Sequence, residues 1–368
     1  MSELEVRIDR LRPREVAERM AAGPVAWIPL GAVEYHAEHL PFGTDGFTAT
    51  AVVERAARIA GGVVLPWSAL TIGTLALPWS LRYDADLVER ALRSTIEQAA
   101  AHGARVVVVH TGHGPLDLNH LVKRVCAETE ERISATPGNA GFRAYGLCYL
   151  ELNAALGTGL GTDWPVAVDH GAIMETSWTL AIAPELVALD RLPADPDGTM
   201  LGVYGPNPRT RASATVGAAQ VTAAAGLLAE RVRALLAGGR IDPMVDLRAF
   251  VARYWPEPPA IGLRADGAAL TIHNPGPVSR YLTRVALTLD GVAVDPAHCV
   301  LRNPTPGEAG VPVPCASLGP EAGFYVRRLQ DAELDLPAPL GPGSHAVALT
   351  LGLGGVAETT VRATLVRS

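Results

Sequence analysis

The sequence predicts an α/β domain with a mostly parallel sheet over residues 1–240, a linker over 241–259, and an antiparallel β-sandwich over 260–368. Three observations carry this expectation. In the first two thirds of the chain, β-branched apolar runs alternate with helically periodic segments, the pattern of βαβ units. After Ile241-Asp-Pro243 that periodicity stops, and short apolar segments alternate with Pro/Gly turns. The length, 368 residues, also exceeds the about 100–200 residues that one core ordinarily serves.

Taken in order, Val25–Leu30 is a short apolar run ending at Gly31, as a buried strand does. Residues 84–101, DADLVERALRSTIEQAAA, have apolar positions at helical spacing, with Asp84 in the N-cap position and His102-Gly103 as the stop. Arg105–His110 holds four consecutive valines, which fits a strand covered on both faces. Phe142–Leu152 reads as a further strand and Ala212–Ala237 as a long Ala/Leu-rich helix. In the last third, Ala269–His273, Val285–Leu289 and His345–Leu351 read as strands. Turns are expected at Asn274–Pro277, Asp290-Gly291 and Gly341–Gly343. Trp67, Trp79 and Trp178 are expected in the core.

Composition narrows the function classes. A net charge of −7 with 19% charged residues offers no footprint for nucleic acid or for an anionic membrane. Of the 31 basic residues only Lys123 is a lysine, which nearly excludes Schiff-base chemistry. The apolar stretch from Gly61 to Leu81 is broken by Pro66, Gly73 and Pro78, so it is not a membrane span. With Cys126, Cys148, Cys299 and Cys315 scattered, free thiols and a cytoplasmic location are expected.

Three constellations carry chemistry. Glu34-Tyr-His36-Ala-Glu38-His39-Leu-Pro-Phe-Gly-Thr-Asp45 follows the first strand directly. Glu34 and His36 share a side of an extended loop, and the Pro41/Gly43 turn can return Asp45 to them, which makes a nitrogen and oxygen set for a divalent ion. The plainer alternative is a polar loop with His39 against Pro41. The second constellation, His110-Thr-Gly-His113-Gly114, leaves His113 exposed at the sheet edge or makes it an idle turn residue. His110 and His120 read as structural. In the third, Asp169-His170-Gly-Ala-Ile-Met-Glu175-Thr-Ser177, His170 reads as a proton-transfer group and Glu175 as a ligand. The alternative there is a helix N-terminus with an acid supporting its first turn.

Together and in this order, the motifs resemble those of the creatininase family of metal-dependent amidohydrolases. That family's Glu-Gln-His-Gly-Pro-His-Leu-Pro and Thr-Asp are similar to Glu34–Pro41 and Thr44-Asp45. Its Asn-Gly-His-Gly-Gly-Asn is similar to Thr111–Leu116, and its His-Ala-Gly-x-x-Glu-Thr-Ser to His170–Ser177. A softer likeness lies in Gly205–Pro208 with Ala212-Ser213 and Gly217. The resemblance covers about residues 10–240 and implies a creatininase-like three-layer fold.

It also implies two divalent metal ions, with zinc the leading candidate and manganese or iron the alternatives. Asp45 would bridge them, Glu34 and His113 would complete one site, and His36 and Glu175 the other. His170 would be the general acid/base, oriented by Asp169. The implied reaction is hydrolysis of a C–N bond in a small-molecule amide, cyclic or lactam-like, by a metal-bridged hydroxide. Trimming of a small peptide amide, or a non-catalytic assembly protein with a degenerate site, are the alternatives. A homo-oligomer, a hexamer in the family, is implied as well.

Departures from the family pattern bear on the substrate. Tyr35, Ala37 and Glu38 stand where Gln, Gly and Pro are usual, and Thr111 and Leu116 replace two asparagines that brace the histidine loop. Pro115 occupies a position that carries a ligand carboxylate in creatininase itself, which leaves Glu175 for that role. Tyr35, Glu38 and Trp164 are the candidate substrate contacts. The C-terminal domain is outside the usual creatininase unit. Its Leu287–Gly291 and Leu340–His345 are faintly similar to the small β-subunits that accompany C-glycoside-cleaving enzymes. His273, His298 and His345 lack ligand spacing and read as core or surface positions.

Overall fold

A computed structural model describes residues 4–75, 77–157, 169–192, 202–203, 207–244, 262–266, 269–273, 280–302, 312–318, 324–326, 331–337, 341–353 and 359–367. Trp164, Gly205, Pro206, the turn at Asn274–Pro277 and linker residues 245–259 lie outside these. The chain divides into two compact units, Met1–Tyr254 and Trp255–Ser368.

The first unit runs α1 (Pro13–Ala22), β1 (Val25–Leu30), α2 (Thr44–Ala60), β2 (Val63–Val64), α3 (Ala85–Ala101), β3 (Val106–Thr111), α4 (Leu116–Ser134), β4 (Arg143–Cys148), α5 (Tyr149–Leu156), α6 (Ile173–Ile182), α7 (Pro208–Arg211) and α8 (Ala214–Leu236). Its sheet is parallel in the order β2-β1-β3-β4, with Val25 paired to Val106 and Val106 to Arg143. Every residue of β1 and β3 is buried because alternate side chains enter different cores. Val25, Trp27, Val106 and Val108 pack with α2, α5, α6 and α8. Ala26, Ile28, Val107 and Val109 pack with α3 and α4 on the other face. Each larger aliphatic side chain among them contributes about 1.5–3 kcal/mol through burial. The three layers implied by the resemblance are the result.

Some local expectations needed correction. Phe142–Leu152 is not one strand, because the chain turns into α5 at Tyr149, where Glu151 Oε2 accepts the Cys148 N–H at 3.0 Å. A carboxylate three residues into a helix captures an orphan amide, and this outweighs the strand-like composition. Asp84 holds the N-cap position of α3 without a side-chain bond, whereas Ser213 caps α8 by accepting from Val216 N at 3.4 Å. Trp178 is buried and Trp67 half-buried, but Trp79 is 82% exposed. Leu77-Pro78-Trp79-Ser80 forms a turn closed by Ser80 N–H to Leu77 C=O, with φ +60° at Trp79. Pro at the second position and positive φ at the third define a type II turn, and its tip carries the indole into solvent.

The second unit, among its described residues, holds only antiparallel pairs. Its strands are β5 (Gly262–Asp266), β6 (Ala269–His273), β7 (Arg280–Leu289), β8 (Val292–Val294), β9 (Val300–Arg302), β10 (Val313–Pro314), β11 (Phe324–Val326), β12 (Asp331–Asp335), β13 (Gly343–Leu353) and β14 (Thr359–Arg367). One sheet is ordered β10-β9-β12-β6-β5 and the other β11-β7-β13-β14, with β8 on β7. Alternate residues of both sheets, among them Leu270, Ile272, Val285, Leu287, Leu334 and Leu349, share one core, as in a sandwich. Asp290 and Gly291 both have positive φ and join β7 to β8 in a two-residue hairpin. Asp290 also accepts from Ala346 N and pairs with His345 Nδ1 at 2.8 Å, so the two segments with the β-subunit likeness touch. All four cysteines are free and buried. Among the described residues no helix is long and apolar enough to cross a membrane.

Candidate metal centre

In an open parallel sheet ordered 2-1-3-4, the crevice outside the carboxyl ends of β1 and β3 is the topological switch point, where ligand sites collect. The chain leaving β1 carries Glu34 and His36, and the chain leaving β3 carries His113. The N-terminus of α2 brings Asp45 into the same crevice, and α6 brings Glu175 in its first turn. Gly31 and Gly112 make this approach possible. A Cβ on Gly31 would lie 2.3 Å from Gly46 N, and one on Gly112 would lie 2.2 Å from Asp45 O. From the motif alone, the glycine beside His113 has a turning role and His113 an exposed place. The structure buries His113, because the glycine lets the backbone close against α2.

Asp45 is the centre of the arrangement. Its Oδ1 lies 3.0 Å from His36 Nε2, and its Oδ2 lies 2.9 Å from His113 Nδ1. Glu34 Oε2 is 3.1 Å from His113 Nδ1, and Glu175 Oε2 is 3.4 Å from His36 Nε2. Glu34, Asp45 and His113 form one trio whose ligand atoms lie within 4.8 Å of one another, and His36, Asp45 and Glu175 form another. Glu34, His36 and His170 make a third such group. All five predicted metal residues and His170 are therefore brought together.

The surroundings aim these groups. His36 Nδ1 donates to Glu34 O at 3.0 Å, which turns its Nε2 toward the carboxylates. Glu34 Oε1 accepts from Leu75 N, and Glu175 Oε2 accepts from Gly171 N at 2.6 Å. The Thr111 hydroxyl donates to His113 O at 2.9 Å and accepts from His113 N at 3.0 Å. A hydroxyl thus braces the histidine loop where the family has asparagine, a role the sequence did not reveal. His39 is buried against Thr176, with Nε2 to Oγ1 at 2.8 Å, rather than packed only on Pro41.

Charge tests whether this set fits cations. Three carboxylates face two histidines in a buried space, and Glu34 Oε2, His36 Nε2 and Asp45 Oδ2 have no hydrogen-bond partner outside this set. Burial works to lower the His113 pKa, yet Glu34 and Asp45 outweigh it and raise it to about 10. His36 is likewise held well above its usual value against burial, by Asp45, Glu175 and Glu34. Burial and the like charges of Asp45 and Asp169 push the Glu175 carboxyl well up. A site that captures protons this strongly is short of positive charge, and its nitrogen and oxygen donors suit divalent ions.

His170 stacks on His36, with centroids 4.1 Å apart and planes at 28°. Burial, then the His36 charge, lowers its pKa to about 4, and its Nε2 lies 2.9 Å from Tyr35 O. The expectation that Asp169 orients His170 needs correction. Both Asp169 oxygens accept backbone N–H groups, Met174 at 2.6 Å and Glu175 at 3.3 Å, because the first turn of α6 has orphan donors to satisfy. Tyr35 OH donates to Glu38 Oε1 at 2.7 Å, so two of the substituted loop residues pair, with Glu38 exposed. Trp164 is outside the described residues. His110 is buried in β3 and His120 is exposed on α4, and neither joins the site groups.

Residues 9–236 match the creatininase family, described as creatinine amidohydrolase. Creatinine amidohydrolase of Pseudomonas putida is 29% identical over 232 residues, 58% of this chain and 86% of the relative. A crystal structure of creatinine amidohydrolase (creatininase) overlays with a TM-score of 0.51 at 24% identity, covering 62% of this chain and 96% of its own. A manganese form of creatininase gives 0.50 at 24% identity, covering 62% and 98%. These overlays show a shared fold. With the family match extending over most of its length, this chain belongs to the creatininase family of amidohydrolases.

Proposed function

We propose that the protein hydrolyses the C–N bond of a small cyclic amide, using two divalent metal ions. The observation that carries this is the Asp45 carboxylate, which faces a different buried histidine with each oxygen. Glu34 and His113 would hold one ion, His36 and Glu175 the other, and Asp45 would serve both. Zinc, manganese or iron suits such a set, and a creatininase of the same fold exists in a manganese form. Divalent ions supply Lewis acidity there, offsetting negative charge at an amide oxygen and making water acidic near neutral pH.

The chain's own groups do the rest. His170 is neutral at physiological pH, and because a carbonyl only accepts, the bond to Tyr35 O puts the ring proton on Nε2. Its basic nitrogen is then Nδ1, which takes a proton from the attacking water and passes it to the leaving nitrogen. Asp169 holds the first turn of α6, and with it Glu175, in place. The Pseudomonas putida relative is named for creatinine. We carry over the substrate class and not that compound, because the Tyr35–Glu38 pair stands where the family's usual loop residues are absent.

Metal analysis of purified protein, with turnover of a panel of lactams, hydantoins, creatinine and dipeptide amides, tests this. About two equivalents of metal are expected. Asp45→Ala should lose both, while His170→Ala keeps them and loses turnover by about 10²–10⁴. Less than one equivalent in the wild type, or full activity in either variant, overturns the proposal.

A further inference from the structure

Tyr149 begins α5, where β4 delivers the chain at its carboxyl end beside β3. The residue is 5% exposed, and its ring meets Trp178 of α6 edge-on, with centroids 5.4 Å apart and planes at 86°. The ring is therefore fixed by the core. The hydroxyl is in a different situation, since no described residue hydrogen-bonds it and it is not among the side-chain atoms sealed from solvent without a partner. A phenol ordinarily finds a partner for its hydroxyl, so one held by a fixed ring and engaged by no described group is free to meet a ligand.

Its position says which ligand. The hydroxyl sits against Gly114, the residue after His113, and a Cβ there would lie 3.0 Å from the Tyr149 oxygen and 3.3 Å from ring carbon Cε1. Glycine at 114 thus leaves the space through which the phenol reaches the histidine loop. Any side chain at 114 would displace the hydroxyl or the loop. Burial, then the charges of Glu175, Asp169 and Asp45, keep the phenol protonated well above its usual range. The carboxylates of the site are acceptors, and a neutral O–H adds a donor to them.

We infer that Tyr149 is a further substrate-facing residue of the site, whose hydroxyl donates a hydrogen bond to the amide oxygen as negative charge develops there; this rests on the amide-hydrolysis reading. A donor preorganised in a water-poor site acts mainly on the transition state. The sequence conceals this role, because nothing in Cys148-Tyr149-Leu150 shows that the strand ends there.

The test is Tyr149→Phe in the full chain, loaded with zinc beside the wild type. Metal content and thermal midpoint should be unchanged, since the hydroxyl holds no described protein group. Calorimetric affinity for inorganic phosphate, a tetrahedral anion probe, should fall about tenfold. With an amide that the wild type turns over, kcat should fall about 10²–10³ with KM little changed. Phosphate affinity and kcat both within twofold of wild type overturn the inference, as does a lowered thermal midpoint, which would make the hydroxyl structural. If the wild type turns over no amide on the panel, the functional proposal fails, and the phosphate comparison alone still decides the donor role of Tyr149.

Discussion

Asp45 Oδ2 lies 2.9 Å from His113 Nδ1, while the other oxygen of the same carboxylate reaches His36. The negative charge that would hold metal therefore holds protons on both imidazoles when metal is absent. Binding zinc to the metal-free protein at pH 7 should displace those protons. Calorimetry in buffers of different ionisation enthalpy measures this. Heats that do not vary with buffer would show that the histidines are already neutral.

Asp169 should matter for stability as well as for the site. Its two oxygens accept from Met174 N and Glu175 N at the start of α6. Asp169→Ala is expected to lower stability by about 1–2 kcal/mol, the cost of a lost helix cap. Urea unfolding measures the loss, and reduced zinc content would accompany it because Glu175 is in the same turn. Asp169→Asn, which keeps an acceptor, should lose less.

His110 makes the fold acid-sensitive. Burial, opposed only in part by a backbone hydrogen bond involving Leu147, lowers its pKa to about 4. In the unfolded chain the value is about 6.5, so between these limits the unfolded state binds more protons and stability rises with pH. The contribution is present in full above about pH 6.5 and is lost as pH falls toward 4, amounting to about 3 kcal/mol. His110→Gln should flatten the pH dependence of urea unfolding between pH 7 and 4.5. An unchanged slope would show that His110 does not titrate there.

Lys123, the only lysine, pairs through Nζ with Glu151 Oε1 at 2.5 Å. Glu151 is 2% exposed and also receives the Cys148 N–H, so it ties α4 to the start of α5. Lys123→Ala leaves that carboxylate unpaired. The lysine is partly exposed, so the loss should be about 1–2 kcal/mol rather than the larger cost of a fully buried pair. Lys123→Met with Glu151→Gln should recover part of it in denaturant unfolding.

Much of this was legible in the sequence. A short apolar run announced β1, a run of valines announced β3, and the Pro/Gly-spaced segments announced the antiparallel domain, because these signals lie within a few residues of one another. Glu34, His36, Asp45, His113 and Glu175 were legible as types in an order. Asp169 was legible only as an acid near a helix start, and its assignment to His170 failed once the orphan amides of α6 were in view. Trp79 read as core because its size favours burial, yet a type II turn carries it outward.

The sequence by itself determined β1, β3, α3 and α8 and which side chains are able to bind cations, since propensity, periodicity and ligand chemistry are properties of short segments. The tertiary structure decided that one carboxylate lies against two histidines and that a phenol stands against the glycine after the second of them. Those facts depend on the strand order β2-β1-β3-β4 and on the close backbone approach at Gly31 and Gly112. Both are long-range packing outcomes, and no local pattern encodes the distance between two strand ends.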